Sequence, residues 1–212
     1  MQDLNKIWVY RIISINNLEE DLRSGLYSKL NATEDPERTV IGNTDIISER
    51  DRRIVSCYPG TLVNNYVPFY FSVRTPMLFN IYTGRGVPKI PQSKIVYLAV
   101  RLCDIAKDDY QWCFTDGNAA KKITKYYTSL ENINDLDWRS IESTDFKHDN
   151  ADGDEDRIRK KHSEFLVRDY VPNDRISGIV VYNENAKIIV ENLVQELGLE
   201  VTIVKNKAKY YF

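Results

Sequence analysis

Apolar and polar positions fall along this chain in blocks short enough to read one element at a time. Ile7-Trp8-Val9-Tyr10-Arg11-Ile12-Ile13 is β-branched and aromatic nearly throughout, the composition of a strand. Asn16-Asn17 then caps a helix with Leu18 and Leu22 one turn apart and acids in its first turn, and Gly25 stops it. Residues 28–42 are polar, carry Pro36 and read as a loop. Residues 45–55 are helical in pattern, with Ile46, Ile47 and Ile54 on one side and a solvated charged face elsewhere. Cys57-Tyr58-Pro59-Gly60 is a turn. Val67, Phe69 and Phe71 alternate with Pro68 and Tyr70 as a strand. Thr75-Pro76 follows as N-cap and first helical residue, Met77, Leu78 and Ile81 continue at helical spacing, and Thr83-Gly84-Arg85-Gly86 ends the helix.

The second half continues with a basic, proline-bearing loop at 87–93 and a continuous apolar strand at 95–102. A short strand is expected at 110–115, and a helix over 119–130 with Lys121, Lys122 and Lys125 outward. Residues 135–146 are mixed, with Trp138, Ile141 and Phe146 requiring burial. The acidic run 148–156 reads as a mobile surface loop, and a basic helical turn spans 157–161. A glutamate, Glu164, opens the apolar strand 163–167. The end is β-α-β in pattern: strand 176–182, Asn183 capping the helix 184–197, Gly198 closing it, and strand 200–205. Tyr210-Tyr211-Phe212 is expected to pair as a final edge. With no repeat and no linker, 1–212 is read as one domain with a mixed sheet and flanking helices, an α+β fold.

Composition narrows the chemistry. The 212 residues are 42% hydrophobic and 28% charged, ordinary for a globular protein, and long enough to bury a full core. No apolar run reaches membrane-span length and the first residues lack the pattern of a signal peptide, so no membrane association and a cytoplasmic location are expected. Three cysteines without metal-ligand spacing suit a reducing compartment. A net charge of -2 opposes bulk adhesion to nucleic acid but leaves room for a local basic groove. Two histidines cannot build a multi-histidine metal site, so no metal is expected. Neither GxGxxG after a strand nor GxxxxGKS/T is present, and CxxC, HExxH and GxSxG are absent. An enzyme with this sequence works with an isolated carboxylate, arginines and aromatics.

Three features invite such chemistry. Arg11, inside a strand, must meet solvent, a carboxylate or a ligand anion. A strand turning sharply into a helix puts Tyr70, Arg74, Met77 and Tyr82 at one mouth, where they serve either as core or as a nucleobase surface. Glu164 sits either at a solvent-facing edge or in a site.

Four segments, YRIISINNLEEDLRSGL (10–26), NNYVPFYFSVRTPMLFNIYTGRG (64–86), CFTDGNA (113–119) and SEFLV (163–167), resemble the DarT family in the same order. These toxins transfer ADP-ribose from NAD+ to a base of single-stranded DNA. The resemblance runs from near residue 7 to the aromatic C-terminus. It implies an ADP-ribosyltransferase-like fold with two small facing β-sheets, flanking helices and an NAD+ cleft between them. It makes Glu164 the catalytic glutamate and Arg50 the catalytic arginine, with Arg52 and Arg53 two and three residues beyond it. NAD+ would be held by Arg11, Ser14, Asn17, Arg50 and Tyr70. DNA would be held by Tyr70, Arg74, Met77, Asn118, Arg85, Lys89 and Lys207, with Lys94 as a further phosphate contact. The region 145–156 corresponds to the loop that shapes the DNA side. Some relatives have histidine in place of Arg11, and several in place of Asn118, which removes a proton-handling group there. The target base implied is thymine, with guanine, or an RNA or protein acceptor, as alternatives. The partner implied is a DarG-like macrodomain antitoxin.

Overall fold

The computed structural model describes residues 2–33, 35–107, 109–145 and 153–212. Ten strands are assigned: β1 (Trp8–Ser14), β2 (Leu26–Tyr27), β3 (Tyr66–Tyr70), β4 (Ile95–Arg101), β5 (Trp112–Thr115), β6 (Tyr126–Tyr127), β7 (Glu164–Arg168), β8 (Tyr170–Val171), β9 (Gly178–Val181) and β10 (Thr202–Lys205). The helices are α1 (Leu18–Ser24), α2 (Thr44–Arg50), α3 (Pro76–Thr83), α4 (Leu102–Ile105), α5 (Trp138–Glu142), α6 (Arg157–Lys160), α7 (Glu184–Glu196) and α8 (Lys207–Tyr210).

Eight strands run in the order β10-β9-β4-β1-β3-β7-β5-β6, and β2 pairs with β8 apart from them. The large sheet is pinched in its middle. β1 and β4 share seven registered pairs and β3 and β7 share five, but β1 meets β3 only at Tyr10↔Tyr70. Pro68 explains part of this. Its carbonyl faces β1, where it accepts from Arg11 Nη1 at 3.3 Å, and it has no N–H to offer on that edge. Two four-stranded halves therefore splay from one shared pair, the counterpart of the two facing sheets implied by the resemblance.

Strand alternation sorts the core onto two faces. Val9 and Ile13 of β1, with Val96, Leu98 and Val100 of β4, pack beneath α1 and α7 through Leu18, Leu22, Val190 and Val194. Tyr10, Ile12, Ile95, Tyr97 and Ala99 face the other way, against Leu78 and Ile81 of α3. The caps act where the sequence placed them: Thr75 Oγ1 accepts from Leu78 N, Asn183 Oδ1 accepts from Ala186 N, and Gly84 closes α3 in the left-handed region.

Three expectations change. The helix over 45–55 ends at Arg50, because the chain turns at Asp51 and Ile54 pairs with Leu62 instead. No helix spans 119–130. Asn118 Oδ1 accepts from Ala120 N, Thr124 Oγ1 donates to Asn118 O, and Asp116 Oδ1 accepts from Lys125 N, which turns the chain back so that Tyr126–Tyr127 pairs with β5. Asn and Asp side chains competing for local backbone donors defeat a helix in this way. The C-terminal aromatics form no edge strand; α8 turns them inward, and Tyr211 donates its buried hydroxyl to the carbonyls of Ile95 and Val180. Phe146, His148 and most of the acidic run 148–156 lie outside the described residues; of that run, Asp154 is braced by Lys160.

Candidate active site

A cavity of about 800 Å³ opens at the pinch, where the two halves of the sheet part. Its far wall is the 38–43 loop, which local sequence alone does not order. Asn17 holds it by two bonds, its amide donating to Thr39 O and accepting from Thr39 N, both at 2.9 Å. Arg38 adds a second anchor on Asp21 at 2.7 Å and on Glu20 at 2.7 Å. Asp21 is buried, so burial pushes its carboxyl up against the pull of Arg11 and Arg38.

Glu164 is the first residue of β7 and is only 2% exposed. Thr115 Oγ1, on neighbouring β5, accepts from its backbone N–H at 3.1 Å. Its carboxylate takes the Ala119 N–H on Oε1 at 3.1 Å. Arg50, the last residue of α2, places Nη1 at 3.0 Å from Oε1 and 2.8 Å from Oε2. Both bonds come from one nitrogen, which leaves Nη2 buried and without a hydrogen-bond partner. Burial lowers the pKa of this guanidinium most, but the charge and hydrogen bonds of Glu164, with Tyr70 and Tyr126, together raise it by more, so Arg50 stays cationic. Arg11 has a comparable orphan in Nε, and burial lowers its pKa. Buried donors of this kind carry a free-energy cost that oxygens of an incoming ribose or phosphate would relieve. NAD+ therefore fits the donors present.

The register puts Tyr10, Tyr70 and Glu164 side by side across three strands. Tyr70 donates to Met77 Sδ at 3.3 Å, and burial drives its phenol pKa well up, so the ring is neutral. Arg11, Asn17, Arg50, Tyr70, Met77, Asn118 and Glu164 all border the cavity.

Other expected residues are elsewhere. Ser14 is buried away from the cavity, accepting from Asn16 N to cap the turn before α1. Arg74 clamps the C-terminal segment, donating from Nε to Tyr211 O at 2.7 Å and from Nη2 to Ala208 O at 2.8 Å. Tyr82 stacks on Phe212. Arg85, Lys89 and Lys94 are exposed and outside the cavity lining, and Lys207 lies over the Tyr182 ring. Arg52 and Arg53 do not reach Glu164; Arg53 Nη2 donates to the carbonyls of Lys121 and Lys122. His162, unassigned by sequence reasoning, borders the cavity. Its signal was its spacing of two from Glu164, which puts both on one side of the chain as it enters the strand.

A buried acid held by an arginine and a backbone N–H lies beside a tyrosine in the cleft of a split mixed sheet, an architecture shared with known ADP-ribosyltransferases. Thermus sp. 2.9 DarT in complex with ADP-ribosylated ssDNA superposes with a TM-score of 0.87 at 28% identity, over 97% of this chain and 96% of that one. The same protein in complex with NAD+ gives a TM-score of 0.83 at 27% identity, over 97% and 98%. A DNA ADP-ribosyl transferase of Escherichia coli O127:H6 is 30% identical over 208 residues, 98% of this chain and 94% of the relative. The family model described as "ssDNA thymidine ADP-ribosyltransferase, DarT" matches residues 10–212, and the chain belongs to that DarT family.

Proposed function

We propose that residues 1–212 form one catalytic domain that transfers ADP-ribose from NAD+ to thymine in single-stranded DNA and releases nicotinamide. The observation that carries this reading is the Glu164–Arg50 pair beside Tyr70 in the cleft, at 2.8 Å. Loss of nicotinamide leaves positive charge on the ribose, as in glycoside cleavage. Glu164 is already fixed by Arg50 and Ala119 N–H, so it stabilises that charge with little reorganisation, an effect of about 3–4 kcal/mol for one such group. No second carboxylate is required, because the acceptor is a base nitrogen and not water.

Arg11 and the free arm of Arg50 hold the dinucleotide, and Asn17 acts through the 38–43 loop that it ties down. Ser14 supports the turn that carries Asn17. Tyr70 and Met77 orient the acceptor base with Asn118 opposite, each stacking contact worth about 1–3 kcal/mol. Arg85, Lys89 and Lys207 are left as outlying phosphate contacts, and Arg74 as a structural clamp. An unpaired base avoids the energy of unstacking a duplex, which favours single strands. Modified DNA is toxic to the cell that makes it, so the reading includes a toxin acting in the cytoplasm and a macrodomain antitoxin that reverses the mark. Four oligonucleotides, each with one type of base, incubated with NAD+ and weighed by mass spectrometry provide the test. ADP-ribose on the thymine strand alone is expected. An adduct on the guanine strand alone would move the target, and labelling of RNA or protein with none on DNA would overturn the reading.

A further inference from the structure

Bonding a thymine ring nitrogen to ribose requires that nitrogen to lose its proton, and the groups already assigned are poor acceptors. Arg50 is cationic and paired, and both oxygens of Glu164 are occupied by donors. Tyr70 keeps its proton and points it at Met77. Glu20 and Asp21 are engaged by Arg38 at the other wall. Resting on the transferase reading above, we propose that His162 is the proton acceptor for the target base.

The geometry fixes both its charge and its tautomer. Nδ1 lies 2.9 Å from the carbonyl of Ile158, an acceptor only, so Nδ1 must carry the hydrogen and donate it. In the neutral ring Nε2 then holds a lone pair, and it makes no hydrogen bond to the described residues while the side chain borders the cavity. The Tyr70 ring, placed to orient a base, has its centroid 6.2 Å from that of the imidazole. Burial lowers the imidazole pKa, the Ile158 carbonyl and Glu164 raise it, and Lys161 and Lys121 lower it, with a net shift downward. The ring is therefore neutral near pH 7 and available as a base.

The step balances. Nε2 takes the proton from the thymine ring nitrogen, and the electron pair left on that nitrogen forms the bond to ribose C1′. The bond from C1′ to nicotinamide breaks with its pair passing to the nicotinamide nitrogen, and the imidazolium later releases its proton to solvent.

Two substitutions test this in the full chain. His162→Asn keeps a donor for the Ile158 carbonyl, and His162→Gln keeps an amide near the Nε2 position; neither is a base. For each, the rate of thymine modification at pH 7 is expected to fall by roughly 10²–10⁴-fold, the usual scale for a lost general base. KM for NAD+ stays within twofold, and the loss shrinks as pH rises and the thymine ionises by itself. The parent should show an acid limb with its midpoint below the ordinary histidine value, and both variants should lack it. A flat parent profile from pH 5 to 7, or variants that keep the parent rate and limb, would overturn the assignment whether or not a given variant folds well. If the parent modifies no oligonucleotide at all, the transferase reading fails first and this inference fails with it.

Discussion

Replacing Glu164 by glutamine preserves size and one carbonyl oxygen while removing the charge that the site is built around. Arg50 Nη1 would lose an anionic partner held at 3.0 and 2.8 Å, and the guanidinium, 11% exposed at its side chain, would be left almost without solvent. Removing one member of a buried pair costs about 3–5 kcal/mol. The glutamine oxygen still accepts a hydrogen bond, which sets the expected loss of stability at the low end, about 3 kcal/mol. The catalytic loss has a different origin. Charge on the departing ribose would no longer meet a fixed carboxylate, so kcat should fall by about 10²–10³. The two effects separate in Arg50→Met/Glu164→Met, which removes both charges. It should recover to within about 1 kcal/mol of the parent in urea unfolding while staying inactive. Nicotinamide release with a thymine oligonucleotide in excess reads the rate. A Glu164→Gln enzyme within threefold of the parent would refute the catalytic role. A double variant less stable than the single one would refute the electrostatic account of the fold.

Arg74→Ala should lower stability by about 1–3 kcal/mol, because two carbonyls of the C-terminal segment lose their donor, yet leave KM for the oligonucleotide within twofold. A KM rise without destabilisation would restore Arg74 to the DNA surface. Lys161 is buried, donates to Ile141 O, and is held by burial down to about 8 from 10.5. The unfolded chain binds the extra proton between those values, so parental stability should rise with pH from about 8 to 10.5, by up to about 3 kcal/mol. Lys161→Met should lack that rise; parallel unfolding curves for the two proteins would show that this lysine does not set the pH dependence.

Much of the local structure was written in short-range patterns. The caps at Thr75 and Asn183, the glycines ending α1 and α3, and the strands β1 and β3 depend on neighbours within a few residues, and they form where the local sequence predicts. The expected helix over 119–130 does not form, despite its lysines and alanines, because Asp116 and Asn118, just upstream, capture backbone donors of the segment. Arg74 shows the same limit at longer range. Its partners lie 134 and 137 residues away, and no local pattern distinguishes a clamp from a phosphate contact.

By itself, the sequence determined most of the elements, because periodicity and caps are encoded within short windows, and its resemblance to the DarT family pointed to the class of chemistry. Only the tertiary structure decided which charges meet. Residues 114 positions apart, Arg50 and Glu164, become a pair when the end of α2 is brought against the start of β7. His162 gains a defined tautomer from the carbonyl of Ile158, and the cavity opens where β1 and β3 are joined at a single rung.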